Sequence, residues 1–300
     1  MKYSCRTQLL LFLFILTIGI TSEAGVTAID STGQKVTLDQ PARRIISLAP
    51  HATELLFATG AGEQVVGVVA YSDYPQQALK LPQVGSNQSL DFEAIVALKP
   101  DLILAWQSGN PATSLEKLKK MGYPIYITEP RKLEDIPVLL REISKLTDTQ
   151  QIANEVAEAF LRRLSALRKH YSNATPISVF FQIWQQPLMT ISSSHIINQA
   201  IELCGGVNIF DEQDTLAATV DIESVIVRNP AVIIINGQGG RFDQWRDYWL
   251  QWRAMEAVKN GFIYQVNADI TSRHTPRLIE GAEQLCLLLD QARSGKAAIP

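Results

Sequence analysis

Thr149-Gln-Gln-Ile152-Ala-Asn-Glu-Val156-Ala-Glu-Ala-Phe160-Leu-Arg-Arg-Leu164-Ser-Ala-Leu167-Arg-Lys-His170-Tyr171 is the stretch on which the fold turns. Ile152, Val156, Phe160, Leu164, Leu167 and Tyr171 recur at spacings of four or three, so they predict one apolar stripe along a single long helix. At about 1.5 Å per residue that helix spans roughly 35 Å, enough to cross from one lobe of a protein to another. Asn173-Ala174-Thr175-Pro176 ends it. His170 falls in its last turn, where positive charge favours the carbonyl end.

On both sides of this helix, short β-branched runs alternate with helical patterns. Ahead of it, Arg44–Leu48, Gln64–Val69, Asp101–Trp106 and Pro124–Ile127 read as strands; Ala52–Thr59, Leu90–Leu98 and Ala112–Met121 read as helices. After it come the strands Ile177–Ile183, Ala231–Ile235 and Phe262–Val266. The helices of this half are Ser194–Cys204, the helix-prone Phe242–Val258 and Pro276–Gln291. Continuous apolar strands alternating with helices indicate parallel sheets covered on both faces. The expected fold is α/β, with two lobes, each a mainly parallel sheet flanked by helices, joined by one long bridging helix. The expected boundaries are residues 25–148 for the first lobe, 149–173 for the bridge and 174–300 for the second lobe.

The N-terminus has the layout of a secretory signal peptide. Lys2 and Arg6 precede an apolar run from Leu9 to Ile20, and Thr21-Ser22-Glu23-Ala24 supplies small residues for cleavage after Ala24. A spanning helix needs roughly 20 apolar residues, and this run is shorter. The reading is therefore of a soluble protein released outside the cytoplasm. Cys5 lies in the segment expected to be removed, ahead of the apolar run. Cys204 and Cys286 remain; in an oxidising space a disulfide is the default reading, with two separate buried thiols as the alternative. Neither has a second Cys or His at metal-ligand spacing. The formal net charge is −3 and no basic tract occurs, which argues against nucleic acid as a partner.

Catalytic motifs are absent: there is no Gly-x-Ser-x-Gly elbow, no phosphate-binding loop and no His-Glu-x-x-His pair. Gly237-Gln238-Gly239-Gly240 lacks the spacing and the Lys-Ser/Thr ending of a phosphate loop and reads as a plain strand-to-helix turn. The histidines His51, His170, His195 and His274 are scattered and read as surface or cap residues, although His51 and His274 fall in βα connections that can face a ligand. Aromatic residues at strand ends carry more weight. Tyr71, Trp106 and Trp184 each follow or end a strand, and ligands of parallel sheets bind beyond the carboxyl ends of the strands. Three such rings suit a large, partly apolar ligand. Trp245, Trp249 and Trp252, spaced four and three, read as helix packing.

The segments Ala70-Tyr71-Ser72-Asp73-Tyr74-Pro75, Phe92-Glu93-Ala94-Ile95-Val96-Ala97-Leu98-Lys99-Pro100-Asp101-Leu102, Trp106 with Gly109-Asn110, and Cys204-Gly205-Gly206-Val207-Asn208-Ile209-Phe210 resemble the periplasmic vitamin B12-binding proteins of ABC importers. These are helix-bridged solute-binding proteins, in a wider class that also carries haem and iron-siderophores. The resemblance runs from about Arg43 to Gln291. It implies a periplasmic protein, monomeric when free, that sandwiches cobalamin or a related corrinoid between its lobes without coordinating the cobalt and delivers it to a membrane permease. No resident cofactor or metal is implied. Tyr71, Trp106 and Trp184 are the implied ring contacts, and Asp269, Ile270, Thr271, Ser272 and Arg273 the facing loop. Cys204 and Cys286 match the disulfide pair, and Glu93 and Glu223 the exposed acids that dock on the permease.

Three positions depart from that pattern. Asn87 and Ala217 stand where further tryptophans are expected, and Ile183 where a phenylalanine is expected, with Trp184 beside it. At about 25 cal/mol per Å², the missing rings remove up to a few kcal/mol of apolar contact unless other groups fill the space. Haem or a ferric siderophore is the alternative cargo, with Tyr71, His51 or His274 as iron ligand. An extracytoplasmic enzyme using the same cleft is the third reading, against which no acid–base or nucleophile–base pair stands out in the chain.

Overall fold

Two four-stranded sheets with the same strand order make up the two halves of the molecule. The computed structural model describes residues 25–237 and 241–295; the expected signal segment and most of the Gly237–Gly240 turn lie outside them. In the first sheet the order is Val65–Val68, Ile45–Ser47, Leu102–Trp106, Ile125–Thr128. In the second it is Gly206–Asn208, Ile177–Gln182, Val232–Asn236, Ile263–Val266. All pairings in both are parallel, and each half runs 2-1-3-4 in chain order. The strands are buried on both faces, as their unbroken apolar runs require.

Alternation along each strand divides the core. Ile103 and Ala105 face a cluster private to the first lobe, with Ile46, Leu118 and Ile127. Ile233 and Ile235 face another, private to the second, with Phe180, Phe210 and Trp249. The opposite faces, Leu102 and Leu104 in one lobe and Val232 and Ile234 in the other, belong to one continuous core that also holds Phe160 and Leu164 of the bridging helix. The bridge thus packs into both lobes.

The bridging helix runs Gln150–Tyr171. Its buried face is Ala153, Ala157, Phe160, Leu164 and Tyr171, whereas Ile152 is 48% exposed. The stripe is therefore rotated toward the alanines at its N-terminal end. A helix not foreseen from the sequence, Asp135–Thr147, packs there through Leu139, Leu140, Ile143 and Leu146, and small side chains let the two backbones approach.

One short helix is repeated between the lobes. Phe92–Leu98 starts at Asp91, whose carboxylate accepts from Ala94 N at 3.0 Å, and ends on Lys99 in the left-handed region, φ 46°, before Pro100. Ile222–Arg228 starts at Asp221, which accepts from Ser224 N at 2.6 Å, and ends on Asn229 at φ 42° before Pro230. Glu93 and Glu223 are the second residue of each, and both are exposed.

The second lobe carries additions. Strand Ile177–Gln182 stops one residue early, and Trp184–Gln185 joins Leu188–Ile191 and Ala217–Thr219 in a small antiparallel sheet. The stretch read as helix-prone from Phe242 to Val258 divides into Arg241–Leu250 and Glu256–Lys259. Cys204, capping Ile196–Leu203, is bonded to Cys286 within Leu278–Arg293 across a sequence separation of 82. A further hairpin, Val26–Ile29 with Lys35–Leu38, opens the described chain. Among the described residues no helix is long and apolar enough to cross a membrane.

Candidate ligand-binding cleft

The strand order reverses between the first and third strands of each half, and the carboxyl ends of those four strands open into one cavity of about 650 Å³ between the lobes. His51 lies two residues beyond Ala49, in the first turn of helix Pro50–Ala58, and Trp106 ends Leu102–Trp106. Ile183 and Trp184 follow Ile177–Gln182, and Asn236 ends Val232–Asn236. All five line the cavity.

The first-lobe wall is held by buried polar groups. Asn110 accepts from Trp106 N at 2.7 Å and donates to Leu48 O and Asn87 O at 2.9 Å each, tying two strand ends together. Gly109 allows the indole to lie on the loop backbone, because a Cβ there would sit 1.7 Å from the Trp106 ring. Asn87 is held by Gly109 O and lies outside the cavity lining. Tyr71 stands at the mouth, 79% exposed, on a backbone at φ 65°. A non-glycine residue held there is strained, and such strain clusters at binding sites. Thr53 Oγ1, 2.9 Å from Ser47 Oγ and 3.0 Å from Ser72 Oγ, anchors that loop to the sheet.

On the second-lobe wall Trp184, 46% exposed, meets Trp245 edge to face at 6.0 Å. Trp245 was expected only to pack, yet it lines the cavity, while Trp249 is buried and donates its indole N–H to Gln182 Oε1 at 2.7 Å. Trp252 lies past the end of the helix, in the turn that follows. Ala217 sits in the small antiparallel sheet, away from the cavity lining. Trp184 and Trp245 thus supply ring surface on the wall where Ile183 and Ala217 do not.

The facing loop divides. Asp269, Ser272 and Arg273 line the cavity; Ile270 and Thr271 do not, because the short helix Ala268–Thr271 turns them away. Thr271 is buried and donates to Asn236 Oδ1 at 2.8 Å. Arg273 reaches across to the first lobe, 2.9 Å from Glu54 Oε1 and 2.6 Å from Asp73 Oδ1, with Asp269 at 3.0 Å. Arg277 at 3.2 Å and the Thr275 hydroxyl at 3.0 Å also bond Glu54, and the Arg277 guanidinium lies 3.8 Å over the Tyr74 ring. Burial raises the Glu54 carboxyl against the opposing pull of the two guanidiniums. The sequence signal for this cluster was one acid inside the apolar run Ala52-Thr53-Glu54-Leu55-Leu56, with Arg273 and Arg277 spaced four apart.

The surface-or-cap expectation holds for exposed His170 and for the cap His195, while His51 and His274 take the ligand-facing alternative. His51, His195 and His274 all line the cavity. The His274 ring centre lies 6.0 Å from that of His51 and 5.7 Å from that of His195. His195 does cap helix Ile196–Leu203, accepting from Ile197 N. Burial lowers His51 and His195 to about 4, helped by Arg273 and Arg131 respectively, and holds His274 well below 6.5, with its two neighbours adding to the effect. All three are neutral at neutral pH. Among the described residues no group of three or more His, Cys, Asp or Glu side chains is arranged to hold a metal ion.

The sequence profile of the periplasmic binding protein family matches residues 45–270. The chain belongs to the periplasmic binding protein family. A vitamin B12-binding protein of Vibrio cholerae is 39% identical over 260 residues, covering 84% of this chain and 91% of that one. A vitamin B12-binding protein of Yersinia pestis is 37% identical over 247 residues, covering 82% and 86%. The crystal structure of the periplasmic vitamin B12 binding protein BtuF of Vibrio cholerae superposes with a TM-score of 0.79 over 84% of this chain and 98% of that one, at 39% identity. A periplasmic heme-binding protein, RhuT from Roseiflexus, shares the fold with a TM-score of 0.74 at 23% identity, over 84% and 99%. Two α/β lobes on a bridging helix are thus the periplasmic binding protein fold, and binding and transport are the family's role.

Proposed function

We propose that this protein works in the periplasm as the solute-binding component of an ABC importer, capturing cobalamin or a related corrinoid between its lobes and delivering it to the permease. The observation that carries the reading is the cavity of about 650 Å³ walled by Tyr71 and Trp106 on one side and Trp184 and Trp245 on the other, in a chain 39% identical to a vitamin B12-binding protein. Flat rings offer apolar area to a corrin, and Asp269, Ser272 and Arg273 offer hydrogen bonds to its amide side chains. Nothing in this role requires a reaction; the protein binds, holds and releases.

Glu93 and Glu223, exposed at equivalent places on the two lobes, dock on the permease in this reading. A carboxylate in a first helical turn also complements the helix dipole, but only by tenths of a kcal/mol. The stiff bridging helix and the Glu54 cluster limit opening of the free protein, so release depends on the permease prising the lobes apart. A second reading exchanges the cargo for haem and is favoured by the three imidazoles lining the cavity. Isothermal titration of the purified protein against cyanocobalamin, haemin and a ferric siderophore separates them. Saturable one-to-one binding of the corrinoid alone is expected, and binding of haemin alone would replace the first reading by the second.

A further inference from the structure

Three of the four histidines in the chain meet at one cavity, and simple ring stacking on a corrin gives them no task. Their hydrogen bonds define what each offers. Thr128 donates its hydroxyl to Ala105 O at 2.9 Å, so at its 2.9 Å contact with His51 Nε2 it must accept. His51 therefore carries its proton on Nε2 and is anchored by it. Its Nδ1 has no hydrogen-bond partner among the described residues, but His51 is buried, 5% exposed, whereas His274 is half-buried. His195 Nδ1 accepts from Ile197 N at 3.1 Å, which leaves its proton on Nε2 and commits its lone pair. His274, between them, has no hydrogen-bond partner for either ring nitrogen among the described residues. One neutral ring nitrogen of His274 thus carries an uncommitted lone pair in the cavity lining. The three rings do not by themselves form a metal-ion site, so a metal must arrive already held by its ligand.

We propose that His274 donates this lone pair to the central metal of the bound macrocycle, so that the cleft selects corrinoids with an exchangeable axial position. The inference rests on the corrinoid reading above and departs from the uncoordinated sandwich implied by resemblance. The step is a ligand exchange: a cobalt–nitrogen bond forms as a cobalt–water bond breaks, the water leaves intact, and no electron is transferred. Metal ligation uses the lone pair of the unprotonated imidazole. His51 and His195 act as positioning residues: their rings flank His274, and the His51 ring in turn meets Trp106 edge to face at 5.2 Å.

The test is absorbance spectroscopy of the full protein with aquocobalamin, whose water exchanges, and cyanocobalamin, whose axial position is closed. The expected result is that the aquocobalamin bands shift to those of its complex with free imidazole. The shift is lost in H274A and retained in H170A, which alters the exposed histidine of the bridge. Wild type should prefer aquocobalamin over cyanocobalamin by about tenfold or more, a ratio that collapses in H274A. Binding of both corrinoids without a band shift overturns the proposal and leaves the corrinoid reading standing. A shift that survives in H274A but disappears in H51A or H195A overturns the assignment to His274. Failure to bind either corrinoid overturns the reading and the proposal together.

Discussion

The two lobes share a frame and differ in what is hung on it. Each has a parallel sheet of order 2-1-3-4, and each has a seven-residue helix opened by an aspartate and closed by a left-handed residue before proline. The first lobe shapes its wall with buried polar bonds: Asn110 holds Trp106, and Thr53 holds the loop of Tyr71. The second shapes its wall with the Trp184–Trp245 pair, and carries besides an added antiparallel sheet and a disulfide buried in the common core. The repeated parts are those that close a sheet and leave it. The parts private to each lobe include the rings that line the cavity, Tyr71 and Trp106 in one and Trp184 and Trp245 in the other.

The largest expected effect comes from removing the covalent device of the second lobe. Replacing Cys204 and Cys286 by serine should cost about 4 kcal/mol, since the bond closes a loop of 82 residues, and denaturant unfolding should show the second lobe melting first. A single unshifted transition would mean that the common core, not the disulfide, holds that lobe. Glu54→Ala comes next, at about 3 kcal/mol, because Arg277 and part of Arg273 lose a buried partner. Small-angle scattering should then report a wider opening between the lobes, and an unchanged profile would show that the bridge alone sets their distance.

Gly109→Ala attacks the first wall without removing a ring. Its new Cβ displaces the Trp106 indole, and corrinoid affinity should fall roughly thirtyfold by titration, about 2 kcal/mol of lost contact. The pH effect is smaller. His51 and His195 fold with values of about 4 against 6.5 when free, so the unfolded chain binds more protons between those limits. Stability therefore falls as pH drops through that window, by about 1 kcal/mol for each at about pH 5.5. Thermal midpoints should decline from about pH 7 to about pH 5, and His51→Asn should flatten that slope. Charge reversal of Glu93 and Glu223 together should move stability by only tenths of a kcal/mol, while weakening retention on permease-containing vesicles.

Much of the frame was legible because it is local. Continuous apolar runs marked the parallel strands, and the period of the bridge marked one long helix, although not its face. Ile152 lost its expected place because packing of Asp135–Thr147 selected the side carrying Ala153 and Ala157. That partner helix has Pro137 in its first turn and was not read as a helix at all. At the cleft, Tyr71, Trp106 and Trp184 were legible from their position after strands. Trp245 was not, since its spacing with Trp249 and Trp252 also describes a packed face; only the neighbouring strand ends decide which of the three reaches the cavity.

By itself, the order of residues determined periodicity, strand burial and helix ends, because these depend on neighbours a few positions away along the chain. The meeting of His51 with His274, of Glu54 with Arg273 and of Trp184 with Trp245 was decided only by tertiary structure. Each pair joins segments far apart in the chain, brought together when two sheets packed on one helix aimed their carboxyl ends at a common space.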